Sequence, residues 1–271
     1  MTAAAMTGLT GRTVVVAGNG VSLEQLMPGV ILDSDFIIRT NNFFLERTYY
    51  LGTRVDLAVM GGDPRVAPFM FETLHRCRAD YDLRAWTSLN PRVSRAGMRR
   101  FSAQHQPFPW RDARLKADTL AIEARFGRKA MTGTYAMLAA YGLGAPRIIL
   151  VGLDLYGAGP RYPFPMGPNQ RALMAPVINA RGIDTDQHDR RLDSAILDLL
   201  IARGDVEILA TKGMAWSGVL PQAPLREGQA LAPRPRPHGP KDWTSRIGLY
   251  HIRMLRALRW LRRTFSRSKG T

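Results

Sequence analysis

Residues 13–25 read Thr13-Val14-Val15-Val16-Ala17-Gly18-Asn19-Gly20-Val21-Ser22-Leu23-Glu24-Gln25, and this stretch decides the fold. The run from Val14 to Ala17 is unbroken, apolar and mostly β-branched, which suits a strand buried on both faces. Gly18-Asn19-Gly20 breaks it. Ser22 then opens a helical stretch, with Gln25 three residues on as in a capping box. Strand, glycine turn and capped helix are the opening of an α/β sheet. The backbone N–H groups of such a turn, beside a helix N-terminus, suit a phosphate. Leu23 stands where a dinucleotide fingerprint needs its third glycine, so the turn does not by itself specify a nicotinamide cofactor.

Working outward, further apolar runs fall at residues 35–38, 55–60, 84–86, 147–152 and 206–209, with helical stretches at 132–143 and 189–202 between and after them. Strands alternating with helices imply a single Rossmann-like, mainly parallel sheet flanked by helices, with ligands at the carboxyl ends of the strands. Arg39-Thr40-Asn41-Asn42 follows the second strand and is expected beside the same crevice, with Asn41 or Asn42 suited to a left-handed turn. Between Tyr156 and His188 the periodicity fails in a Pro- and Gly-rich stretch too long for an idle connection, so a functional lid is expected there. Residues 1–154 and 189–221 are then the core, and 155–188 the lid. Residues 222–242 read as a Pro/Arg-rich linker and 243–267 as a basic amphipathic helix.

Charge sharpens that division. The net charge of +16 over 271 residues is concentrated at the end of the chain. From Arg226 onward there are 12 Lys/Arg against 2 Asp/Glu, while the first 225 residues hold 26 against 20. Ile247, Tyr250, Met254, Leu258, Leu261 and Phe265 form one apolar stripe among arginines, with Trp243 and Trp260 suited to an interfacial depth. This is the pattern of a helix lying on an anionic membrane surface; the alternative is a helix docked on the core. Nucleic acid is not expected as a partner, because no reader motif accompanies the charge. Cys77, the single cysteine, excludes an internal disulfide. Met1 to Arg12 lacks the features of a secretory signal, and no window is long and apolar enough to span a bilayer.

Several side chains could carry chemistry. His188, at the loop-to-helix junction, is a natural general base near neutral pH, or else an exposed helix-start residue. Tyr156 and Tyr162 flank a Gly-Pro bend and could donate hydrogen bonds to a departing phosphate, or simply pack their loop. Three Asp-x-Asp triplets, Asp33/Asp35, Asp80/Asp82 and Asp184/Asp186, invite a metal reading, which is the minority one.

Taken together these pieces resemble the bacterial sialyltransferases of glycosyltransferase family 42. The matching order is Ala17-Gly18-Asn19-Gly20 with Ser22-Leu23, then Arg39 and Asn41 ahead of Phe43. Tyr49-Tyr50-Leu51-Gly52, Thr132-Gly133-Thr134-Tyr135 and Ile149 to Tyr156 follow, then Tyr162 and His188. The similarity covers roughly residues 13–210 and is weak between about 64 and 125. The resemblance implies a GT-A-like variant of the Rossmann sheet whose lid closes over a CMP-sugar, with inversion at the anomeric carbon. It places the general base on His188 and the two tyrosines that assist the leaving CMP on Tyr156 and Tyr162. Donor contacts fall on Gly18, Asn19, Gly20, Ser22 and Asn41, and on Thr132, Gly133 and Asp154 at neighbouring strand ends. It implies no metal and no cofactor beyond the donor, and a homo-oligomer, by resemblance a tetramer.

The chain departs from the family in places. Met60-Gly61-Gly62-Asp63-Pro64 puts Asp63 where the family has an asparagine that holds the donor. Lys129 replaces an arginine, keeping the charge but losing the bidentate fork. The expectation is an enzyme that moves sialic acid or a related nonulosonate from its CMP-sugar to a terminal sugar of a lipid-linked glycan, lipooligosaccharide or capsule, in the cytoplasm on the inner membrane. The alternatives are a transferase using CMP-Kdo, a dinucleotide-dependent oxidoreductase and a non-catalytic peripheral membrane module.

Overall fold

The computed structural model describes residue 9, residues 11–155, 160–174 and 188–255, and residues 257, 258 and 261. Six strands form the central sheet: β1 (Thr13–Ala17), β2 (Phe36–Thr40), β3 (Leu57–Val59), β4 (Trp86–Thr87), β5 (Arg147–Val151) and β6 (Glu207–Ala210). They run in the order β4-β3-β2-β1-β5-β6, and every pairing is parallel. Val14 to Ala17 and the whole of β2 are buried, as expected of strands covered on both faces. Strand order reverses between β1 and β5, where Ala17 pairs with Val151. That reversal opens a crevice beyond the strand ends.

Six helices are described: α1 (Ala67–Arg76), α2 (Pro91–Phe101), α3 (Ala113–Phe126), α4 (Thr132–Gly142), α5 (Pro168–Met174) and α6 (Arg190–Arg203). Their ends follow from local chemistry. Asn90, Asp112 and Asp189 accept backbone N–H bonds at the starts of α2, α3 and α6. Gly127 and Gly204 close α3 and α6 in the left-handed region. One face of the sheet packs Val14, Val16, Ile38, Ile148 and Leu150 against the small-residue helix α4, with Leu115 of α3 and Leu192, Ile196 and Leu200 of α6. The other face packs Val15, Ile37, Ile149 and Leu209 against Leu23, Leu26, Ile31, Leu51 and Leu231.

Three expectations are corrected here. Residues 21–25 form a single 3-10 turn without a side-chain cap, because Ser22 turns to Asp154 and not to its own helix. The supposed linker is a strap held to the core. Arg226 forms an ion pair with the buried Asp35, Arg234–Pro235 pairs antiparallel with Thr48–Tyr49, and the buried Arg236 donates to the Phe44 and Glu46 carbonyls at 2.6 and 3.2 Å and ion-pairs with Asp80. The terminal helix does not start at 243. Trp243 is buried, a short hairpin pairs Arg246–Ile247 with Tyr250–His251, and helical turns begin at Ile252. Ile252 and Leu255 dock on the core beside α1, while Leu249, Met254, Leu258 and Leu261 of the terminal segment are exposed. Among the described residues no helix is long and apolar enough to cross a membrane.

Candidate functional site

The crevice at the β1/β5 switch point is built by two crossing turns. Gly18 donates to the Val151 carbonyl and Gly20 to the Gly152 carbonyl, both at 2.8 Å. A side chain on Gly18 would overlap the Gly152 carbonyl oxygen, and one on Gly20 would overlap the Asp154 carboxyl group. Gly152 itself sits at φ +62, where only glycine is unstrained. Both glycines of the opening motif are therefore fixed by the closeness of the β5 turn.

Asp154 braces this corner. Its carboxylate accepts the Ser22 backbone N–H at 3.0 Å and, on the other oxygen, the Ser22 hydroxyl. Burial raises its pKa, and the two Ser22 bonds pull the other way. From β2, Asn41 reaches across the crevice. Its Nδ2 donates to Thr132 Oγ1 at 3.1 Å, and its Oδ1 accepts the Gly61 N–H at 2.7 Å. Asn19 Nδ2 donates to the Asn41 carbonyl and, at 3.3 Å, to that of Thr40. The Asn19 Oδ1 is buried with no hydrogen-bond partner among the described residues. Amides and hydroxyls from three strand ends and from the start of α4 thus form one connected polar wall. Gly133, next on α4, packs closely on the end of the Leu153 side chain, which would have to shift for a larger residue.

Other expected residues stand elsewhere or differently. Asp63 accepts both branches of Arg65 at 3.0 Å, and its carbonyl receives Val66 and Ala67 at the head of α1. Lys129 pairs with the buried Glu123 at 2.5 Å while its own side chain remains largely exposed. Arg39 is buried against Glu46 at 2.6 Å and does not face the crevice. Asn42 is left-handed at φ 68. His188 lies immediately before the Asp189 cap of α6, and its carbonyl accepts Arg128 Nη1 at 3.4 Å. Tyr162 stacks on Phe164 with ring centroids 5.0 Å apart, and the Arg161 guanidinium lies over its ring. Tyr156, Asp184 and Asp186 lie outside the described residues. The remaining Asp-x-Asp carboxylates face arginines: Asp33 and Asp35 face Arg54 and Arg226, and Asp80 and Asp82 face Arg236 and Arg84. Among the described residues no group of three or more potential ligands could hold a metal ion.

Sequence reasoning missed two supports. Arg190, the first residue of α6, donates to the Leu155 carbonyl at 2.8 Å and so ties the chain that follows β5 to the helix that follows His188. Asp193 is buried on α6 and accepts the Met131 N–H at 2.9 Å and the Thr134 hydroxyl at 2.6 Å. It therefore joins the His188 helix to the start of α4. The signal was present: Asp193 shares a helical stripe with Ile196, Leu197 and Leu200, so a carboxylate falls on a buried face.

Burial raises the Asp193 carboxyl from an ordinary 3.8 to about 6, with its hydrogen bonds acting in the opposite sense. The folded protein therefore holds this proton more tightly than the unfolded chain. The associated stability is intact below pH 3.8 and is lost as pH rises through about 6. Asp193→Asn keeps one acceptor oxygen and buries no charge. The variant should match wild type in unfolding free energy near pH 4 and exceed it above pH 7, by about 2–3 kcal/mol. Parallel stability curves across that range would remove Asp193 as the titrating group.

No family model matches the sequence, and no curated protein matches it. The fold is shared with solved structures. Cst-I from Campylobacter jejuni, a monofunctional alpha-2,3-sialyltransferase, superposes with a TM-score of 0.75 at 17% identity, over 97% of each chain. CstII from the same organism, in complex with cytidine 5'-monophosphate, gives 0.71 at 19% identity over 88% of this chain and 95% of that one. CstII with the substrate analogue CMP-3FNeuAc gives 0.70 at 20% identity, covering 88% and 96%.

Proposed function

We propose that this chain is an inverting glycosyltransferase that transfers sialic acid, or a related nonulosonate, from its CMP-sugar to a terminal sugar of a lipid-linked glycan. The observation that carries the reading is the Asn19–Asn41–Thr132 hydrogen-bonded wall at the switch point. It lies on a fold shared over 97% of the chain with a sialyltransferase. A nucleoside monophosphate fits such a wall. Its base and ribose take amide and hydroxyl partners, and its phosphate lies toward the start of α4 and the basic Arg128, Lys129 and Arg190.

In this reaction the acceptor hydroxyl oxygen forms the new bond to the anomeric carbon from the face opposite the phosphate. The bond from that carbon to the phosphate oxygen breaks, and CMP leaves with the electron pair. His188 takes the acceptor proton. Tyr156 and Tyr162 donate hydrogen bonds to the phosphate as its charge rises, a role that needs no divalent ion. Asp154 supports the site through Ser22, and Asp63, neutralised by Arg65, is compatible with an anionic donor nearby. An oxidoreductase is disfavoured. Its ribose would need an acidic residue at the end of β2, where the chain has Arg39 and Thr40.

The terminal segment supports a peripheral place on the cytoplasmic face of the inner membrane. Ile252 and Leu255 hold the helix start to the core, and Met254, Leu258 and Leu261 form an exposed apolar stripe within a basic segment. One titration tests the donor. CMP-N-acetylneuraminate should bind more tightly than CMP-Kdo and be turned over in EDTA. Equal or inverted preference would move the proposal to another CMP-sugar, and no binding of CMP itself would end it.

A further inference from the structure

Asp242 and Trp243 lie 80 residues beyond Tyr162 in sequence, yet they meet both sides of the site. The Asp242 carboxylate accepts the backbone N–H groups of Asn169 at 2.6 Å and Gln170 at 3.1 Å, in the first turn of α5. Gly167, just before α5, has no space for a side chain because Asp242 fills it. Asn169 Nδ2 returns a bond to the Trp243 carbonyl at 3.0 Å. These contacts fix the end of the 160–167 loop that carries Tyr162, and Phe164 of that loop is buried in the same apolar cluster as Trp243.

Trp243 faces the other way as well. Its indole N–H donates to Asn42 Oδ1 at 2.8 Å. Asn42 is the left-handed residue directly after Asn41, so this bond holds the turn from which Asn41 reaches Thr132 and Gly61. The next residue, Thr244, donates its N–H to Thr73 Oγ1 on α1 at 2.8 Å, anchoring the pair to a rigid helix.

We infer that Asp242 and Trp243 are positioning residues for the donor site, joining the segment that carries Tyr162 to the turn that carries Asn41. The inference rests on the transferase reading above. It assigns the two residues different effects. Asp242 orders the segment that meets the leaving group, and so acts on turnover. Trp243 orders the Asn41 turn, and so acts on donor affinity.

The test uses the full chain with Asp242→Asn and Trp243→Phe, both close in size to the native residue. Asp242→Asn should lower kcat for transfer on the order of tenfold and leave CMP Kd within about threefold, as expected for losing charge-assisted bonds remote from the nucleotide. Trp243→Phe should weaken CMP binding roughly threefold to tenfold with kcat at saturating donor nearly unchanged, the loss of one neutral bond. In an Asn42→Gly background, which keeps the left-handed turn but removes the acceptor, Trp243→Phe should have no further effect on Kd. Amide exchange at Asn169 and Gln170 should accelerate in Asp242→Asn. Wild-type protein that fails to bind CMP would overturn the donor reading, whereas unchanged exchange in Asp242→Asn would overturn the brace itself. Parallel losses in kcat, Kd and Tm in both variants, or additive effects with Asn42→Gly, would reduce both residues to structural ones.

Discussion

His188→Ala is expected to lose transfer by about 10²- to 10⁴-fold while binding CMP as wild type does, the signature of removing a general base and nothing else. The elements that fix the backbone at this point belong to other groups: Arg128 holds the His188 carbonyl, Asp189 caps α6, and Asp193 ties α6 to the start of α4. Removing an imidazole from position 188 leaves these three supports in place, so the backbone that enters α6 should keep its course. Isothermal titration with CMP and a transfer assay under saturating donor separate the outcomes. Turnover near wild type would take His188 out of the mechanism. Lost CMP affinity with unchanged kcat would make it a ground-state contact.

The geometry of the candidate site was readable where its residues follow strands directly, and unreadable where partners come from far along the chain. Gly18, Asn19, Gly20 and Asn41 follow β1 and β2 by one to three residues, so finding the strands located them. Ser22 looked like a helix cap because Gln25 stands three residues on. Its actual partner, Asp154, is 132 residues away and accepts both its N–H and its hydroxyl. The 222–242 strap was misread for a related reason. Proline and arginine without periodicity describe a chain that forms no regular element, and composition does not show what those arginines bind. Arg226 meets an aspartate 191 residues earlier, and Arg236 meets two carbonyls and one carboxylate more than 150 residues earlier. Arginine's planar fork suits such buried, many-partnered sites. The same misreading hid the Asp242–Trp243 brace, because a tryptophan before a basic helix fits a membrane interface as well as a core.

This connectedness sets the other large effect, at the turn where the sheet changes direction. Gly18→Ala should destabilise the fold by about 2–4 kcal/mol and abolish measurable CMP binding, because an added methyl meets backbone with no room to yield. Its neighbours would be the Gly152 carbonyl and Leu153, and that carbonyl already accepts the Gly20 N–H. Relief would need β1 and β5 to part at the residues that pair Ala17 with Val151. Gly20→Ala is a different case. The nearest atoms to its methyl would be those of the Asp154 carboxyl group, a side chain that can be removed. Gly20→Ala should therefore be partly rescued by Asp154→Ala, recovering stability while Ser22 loses its brace, whereas Asp154→Ala should do nothing for Gly18→Ala. Thermal melts and CMP titrations on the two single and two double variants decide it. If Gly18→Ala binds CMP normally, the close approach of the two turns is not what shapes the proposed nucleotide site, and the wall formed by Asn19 and Asn41 would have to hold the proposed donor without it.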